Sequence, residues 1–125
     1  MARVIGLGGI FFKARDPEAL RDWYREHLGL DIGDWGGVAF AEDTSRPGFA
    51  SWSPFEYDTS YFLPSEKPWM LNFRVDDLDA LLAQLRAAGQ PVDERVKESE
   101  YGKFGWVMDP EGTRIELWEP PQDMR

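Results

Sequence analysis

The sequence predicts an α+β domain built from two βαβββ units in tandem, with helices on one side of mixed sheets. Three observations carry that expectation. The chain contains an internal duplication, each copy switches from an apolar period of two to one of 3.6, and each helix is followed by short strand-like runs. The duplicated segments are GIFFKARDPEALRDWYREHLG (9–29) and MLNFRVDDLDALLAQLRAAGQ (70–90). An offset of 61 places Phe12 on Phe73, Asp16 on Asp77, Ala19-Leu20 on Ala80-Leu81 and Arg25 on Arg86. Lys13 and Arg74, like Glu18 and Asp79, are matched in charge at the same offset.

In the first copy Ile10, Phe12 and Ala14 alternate on one strand face, and in the second Leu71, Phe73 and Val75 do. Asp16 and Asp77 then stand at helix starts, with Pro17 in a favoured first-turn position. Leu20, Trp23, Tyr24 and Leu28 recur at helical spacing, as do Leu78, Leu81, Leu82 and Leu85, and Gly29 and Gly89 mark the stops. Strands are expected near 37–41, 49–53 and 60–63, then near 92–97, 104–108 and 113–118. Asp109-Pro110-Glu111-Gly112 has the composition of a type I turn. The expected organisation is one domain over 1–125: module one about 4–63, a linker about 64–68 in a Pro- and Ser-rich stretch, and module two about 69–120.

Composition narrows the function. A chain of 125 residues, 42% hydrophobic, is long enough for one packed core. It has no run of eighteen apolar residues, so no membrane span is expected, and its N-terminus lacks a secretory pattern. With no cysteine it can form no disulfide, thiol nucleophile or thiolate metal site, and a cytoplasmic location is the expectation. The net charge of -9 opposes a phosphate backbone, so nucleic acid is not an expected partner.

Alternation also defines the opposite strand face. If Ile10, Phe12, Leu71, Phe73, Ile115 and Leu117 pack under the helices, then Gly9, Phe11, Lys13, Met70, Asn72, Arg74, Arg114, Glu116 and Trp118 face the other way. That face is either a wetted sheet surface or the wall of a pocket or interface, and Phe11, Met70 and Trp118 favour the latter. The loop EYGKFGWVMD (100–109) is a candidate lid containing Tyr101, or alternatively a hairpin approach whose glycines serve turns.

The run DPEGTRIELWEP (109–120), with ALRDWYREHLGL and NFRVDDLDALLAQLRAAG, resembles the glyoxalase, bleomycin-resistance and extradiol-dioxygenase group, the vicinal oxygen chelate superfamily. The resemblance covers essentially the whole chain. It implies two modules whose sheets curl around a cleft, often completed by exchange of halves in a homodimer. In metal-using members it implies a His or Gln on each first strand and a Glu on the closing strand. Carried over, Glu116 matches the closing-strand ligand, while Gly9 and Met70 occupy the first-strand positions and Tyr61 or Phe62 the remaining one. Glycine offers no side chain and a thioether suits hard cations poorly. The single histidine, His27, falls near the end of the first helix, where a ligand role is not expected. No cofactor is therefore expected, and a divalent metal is disfavoured.

Two readings follow, and a third is kept beside them. The first is binding of a small molecule in an aromatic-lined cleft, as in drug-sequestering members, at Phe11, Lys13, Tyr61, Met70, Asn72, Arg74, Tyr101, Arg114, Glu116 and Trp118. Trp35, Trp52, Trp69, Trp106 and Tyr24 add flat surface, although Trp23, Trp52 and Trp106 also suit a core. The second is a glyoxalase-like lyase or related enzyme, with Glu116 as the candidate catalytic group on a non-standard metal site or in acid–base chemistry. The alternative for Glu116 is a structural pairing with Arg114 or a neighbouring base. The third is an interaction or regulatory subunit. An acidic chain with aromatic walls suits a cationic ligand, whereas Lys13, Arg74 and Arg114 suit an anion, and the sequence leaves the sign open.

Overall fold

A computed structural model describes residues 1–123 as two helices and one four-stranded mixed sheet. In chain order the elements are α1 (Pro17–Leu28), β1 (Leu71–Arg74), α2 (Leu78–Ala87), β2 (Lys97–Ser99), β3 (Gly102–Met108) and β4 (Arg114–Glu119). The strand order is β1-β4-β3-β2. β1 runs parallel to β4, and the other neighbours are antiparallel. The sheet is open, and among the described residues no helix is long and apolar enough to cross a membrane.

Both helices start and stop where local chemistry dictates. The Asp16 carboxylate accepts from the Ala19 amide at 3.1 Å and Asp77 from Ala80 at 3.0 Å, meeting amides that the first turn leaves without partners. Gly29 ends α1 in the left-handed region at φ 69°, which disfavours any residue with a Cβ. α2 has a second cap from outside its own segment: Glu119 Oε1 accepts from the Leu78 amide at 2.8 Å, tying the helix to the end of β4.

The core lies between the helices and one face of the sheet. Leu78, Leu82 and Leu85 of α2 pack with Leu71, Val107, Ile115 and Leu117, and Leu20, Trp23 and Tyr24 of α1 join them. Gly105 permits this approach, since a Cβ there would stand 2.9 Å from Leu82 Cδ1. The alternation expected of β1 and β4 holds for Leu71, Phe73, Ile115 and Leu117.

The turn at 109–112 fastens α1 to the sheet. The Gly112 amide bonds the Asp109 carbonyl at 3.1 Å, closing the turn, and Asp109 Oδ1 accepts from the Glu111 and Thr113 amides at 2.8 and 2.9 Å. Its other oxygen accepts from the buried Tyr24 hydroxyl at 2.6 Å. Glu111 reaches back to the entry of α1, accepting from the Arg15 and Asp16 amides at 2.8 and 2.9 Å. Those amides hold the Glu111 carboxyl below its usual range. A depressed folded-state pKa contributes stability that is complete above the unfolded value and lost as pH falls through the folded one. The urea midpoint is therefore expected to drop below about pH 4, and to drop less in Glu111→Gln. Equal acid sensitivity of the two proteins would remove Glu111 from the account.

The first half departs from the sequence expectation. The segments 10–14, 37–41, 49–53 and 60–63 join no ladder, so of the first βαβββ unit only α1 is formed. A strand is stable only beside a neighbour offering matched amides and carbonyls, and these segments pair neither with one another nor with the open edges of β1 and β2. Residues 60–65 form consecutive turns, with Leu63 and Ser65 amides bonded to the Ser60 and Phe62 carbonyls at 3.2 and 2.9 Å. Ile10 and Phe12, expected in the core, are exposed, although Phe12 meets Trp69 in a tilted pair at 5.5 Å. Within 100–109, Gly102–Met108 forms β3, the hairpin arrangement considered beside a lid. Gly102 starts β3 at φ 113°, where a Cβ would lie 2.3 Å from the Glu119 carbonyl oxygen.

Candidate functional site

The face of the sheet turned away from α2 carries the site. Antiparallel pairing sets Trp106 opposite Glu116 and Met108 opposite Arg114, while parallel pairing sets Asn72 beside Glu116. Side chains in these register positions share one face, so β4 delivers Arg114, Glu116 and Trp118 together. The turns at 60–65 bring Tyr61 to the same place.

Glu116 is the hub of this group. Its Oε1 accepts from Asn72 Nδ2 at 2.7 Å, and Oε2 accepts from the Tyr61 hydroxyl and from Trp106 Nε1 at 3.0 Å. The residue is 7% exposed, so these donors stand in for the water it loses. Desolvation, then the hydrogen bond to Glu116, pushes the Tyr61 phenol above its ordinary value, which keeps it a proton donor. Arg114, the partner considered for Glu116, bonds elsewhere: its Nη2 lies 3.5 Å from Asp93 Oδ2. Its guanidinium stands 5.1 Å from the Trp106 ring centroid, and that of Arg95 stands 5.8 Å from the same ring.

An open cavity of about 580 Å³ lies beside this group; Tyr61, Trp106 and Arg114 line it together with Ser60, Arg95, Val96, Lys97 and Glu98, whereas Glu116 and Asn72 stand behind that lining. The volume suits a small organic molecule. Tyr61 meets Trp106 edge to face, at 6.3 Å and 85°, giving two aromatic walls.

The sequence-derived site residues divide clearly. Tyr61, Asn72 and Glu116 form one hydrogen-bonded cluster, and Arg114 borders it. Trp118 is buried beside them, stacked on Phe104 at 6.1 Å, with its Nε1 donating to the Tyr101 carbonyl at 2.7 Å. Tyr101 thus contributes its backbone, while its side chain is exposed. Phe11 is 91% exposed and Lys13 is exposed, so neither joins the cluster, and Arg74 and Met70 do not line the cavity. Tyr24 belongs to the core and Trp52 to the surface. His27 packs on Trp23 in the last turn of α1 and is not among Glu116's hydrogen-bond partners. Trp106, which the sequence left between cleft wall and core, lines the cavity, and Arg95 and Lys97 line it too without having carried a sequence signal. The turn closed at 109–112 sets the register that puts Trp106 opposite Glu116.

The donor set does not fit the metal that the superfamily resemblance implies. Three of the roughly four acceptor sites of Glu116 are already occupied by neutral donors. Among the described residues no group of three or more His, Asp or Glu converges, and a catalytic metal needs about three protein ligands.

A family profile described as a glyoxalase-like domain matches residues 9–118. The chain belongs to that family, within the vicinal oxygen chelate superfamily. Among solved structures it is similar to TnmS3, an antibiotic binding protein from Streptomyces sp. CB03234, at 25% identity and TM-score 0.52, over 85% of this chain and 88% of that one. A protein of unknown function from Agrobacterium tumefaciens str. C58 is similar at 25% identity and TM-score 0.56, over 92% and 98%. Lactoylglutathione lyase from Agrobacterium tumefaciens, at 19% identity, TM-score 0.51 and coverage of 85% and 87%, shares the fold. The search among curated proteins returned no match.

Proposed function

We propose that this protein of the glyoxalase-like family binds a small organic molecule in the cavity lined by Tyr61, Trp106 and Arg114, without a catalytic metal. One observation carries the reading: the carboxylate in the family's metal-ligand position is held by Tyr61, Asn72 and Trp106, two of which line the cavity. Likeness to an antibiotic binding protein over most of both chains supports binding over turnover. A thermal-shift screen of small metabolites and drugs, with and without divalent metals, tests it, because a ligand of the native state raises apparent stability by mass action. Stabilising compounds that act without metal support the reading. Stabilisation that requires a divalent metal contradicts it and favours a lyase-like enzyme.

The active form in this reading is a homodimer in which a second copy covers the first half of the chain. Ile5, Ile10, Phe11, Phe40, Phe49 and Trp52 are all exposed, a concentration of apolar surface that water disfavours. β1 has one edge paired, to β4, and the other free to accept a strand. Light scattering is expected to give twice the chain mass; a strict monomer at micromolar concentration would contradict this assembly.

A further inference from the structure

The charge of the ligand, which the sequence left open, can be argued from Arg114. It is 2% exposed, yet it borders the cavity. Its Nε–H is enclosed with no acceptor, and Nη2 reaches Asp93 only at 3.5 Å, the outer limit of a hydrogen bond. A guanidinium carries five donors, and among the described residues that weak contact is its one hydrogen bond. Such an enclosed, under-satisfied cation is costly to a fold. Asp93 is engaged more closely by Arg95, through the backbone amide at 2.9 Å and Nη2 at 3.2 Å. Glu116, the nearest acid on β4, is held by its neutral donors and gives Arg114 no hydrogen bond.

The cavity border therefore holds Arg95, Lys97 and Arg114 against Glu98 alone, with Asp93 behind the two arginines. The overall charge of -9 repels anions at long range, but that field is screened within about 8 Å at physiological salt. The local cations decide what is held. Tyr61, Val96 and Trp106 supply apolar and flat surface for the rest of the ligand.

We propose that the cavity takes a small organic oxyanion, a carboxylate or phosphate ester on a flat apolar body, with Arg114 and Arg95 holding the oxyanion beside Trp106. The proposal rests on the metal-free binding reading above and adds the ligand's charge. A planar guanidinium matches the two oxygens of a carboxylate or phosphate, and each such contact strengthens in a partly desolvated site.

Titration calorimetry with benzoate, phenyl phosphate, benzylamine and benzyl alcohol tests it. One or both anions are expected to bind at least about tenfold more tightly than the amine and the alcohol. The tighter anion distinguishes carboxylate from phosphate ester. Arg114→Met is expected to weaken the preferred anion about tenfold and to leave the melting temperature unchanged or raised, since Asp93 keeps Arg95. Should Arg114→Met fail to fold, Arg95→Gln, a change at an exposed side chain, is expected to weaken the same anion about threefold. Anion affinity unchanged in both variants overturns the assignment. Benzylamine or benzyl alcohol binding as tightly as the anions overturns the oxyanion while leaving the binding reading intact. No binding by any of the four, together with an empty thermal-shift screen, overturns both.

Discussion

Asp109→Ala is expected to cost about 3–4 kcal/mol, the summed effect of several buried donors losing their acceptor. Asp109 accepts from the Tyr24 hydroxyl at 2.6 Å, the Thr113 amide at 2.9 Å and the Glu111 amide at 2.8 Å. Alanine leaves the buried Tyr24 hydroxyl and Thr113 amide without acceptors, and it loosens the turn that aligns β3 with β4. The same turn holds α1 through Glu111, so the helix loses anchorage as well. Urea denaturation followed by tryptophan fluorescence measures the effect. Asp109→Asn keeps one acceptor oxygen and is expected to lose about half as much. A loss below about 1 kcal/mol for Asp109→Ala would show that the turn forms without its side chain.

Glu116→Ala is expected to abolish ligand binding and to cost about 2–3 kcal/mol, because Trp106 Nε1 is left buried and unmet while Tyr61 and Asn72 lose their common acceptor. Tyr61 sits on turns and not on a strand, so Glu116 is what fixes its position at the cavity wall. Glu116→Gln separates the two roles considered for this residue. Gln retains an acceptor oxygen for Trp106 and Tyr61, so an organising role predicts that most affinity survives. A metal-ligand or acid–base role predicts that Gln is as damaging as Ala. Calorimetry with the best screening hit and denaturation of both variants read the two effects separately.

The sequence was most legible where the signal is local. Asp16, Asp77, Gly29 and Gly89 placed the helix ends because capping involves only neighbouring backbone. The alternation of Leu71, Phe73, Ile115 and Leu117 placed the buried sheet face for the same reason. The first-half strands were not legible in this way. Alternation in 10–14 says which residues share a face but not what lies beside them, and in the described chain no strand does. Within the site, Glu116, Tyr61, Asn72 and Arg114 came from strand parity and family resemblance. Lys97 and Trp106 depend on the register of β3 against its neighbours, which period two alone does not specify, and Arg95 lies outside every strand. Phe11 and Lys13 were assigned by assuming a first strand that pairs, and they stand in solvent.

The role proposed for Glu116 is to position Tyr61 and Trp106 at the cavity without holding a metal. Elemental analysis for zinc, nickel, iron and manganese, on protein purified gently without chelator, tests it most directly. The account predicts far less than one metal ion per chain, with no difference between the native protein and Glu116→Gln. About one tightly held ion per chain, lost in Glu116→Gln, would contradict it.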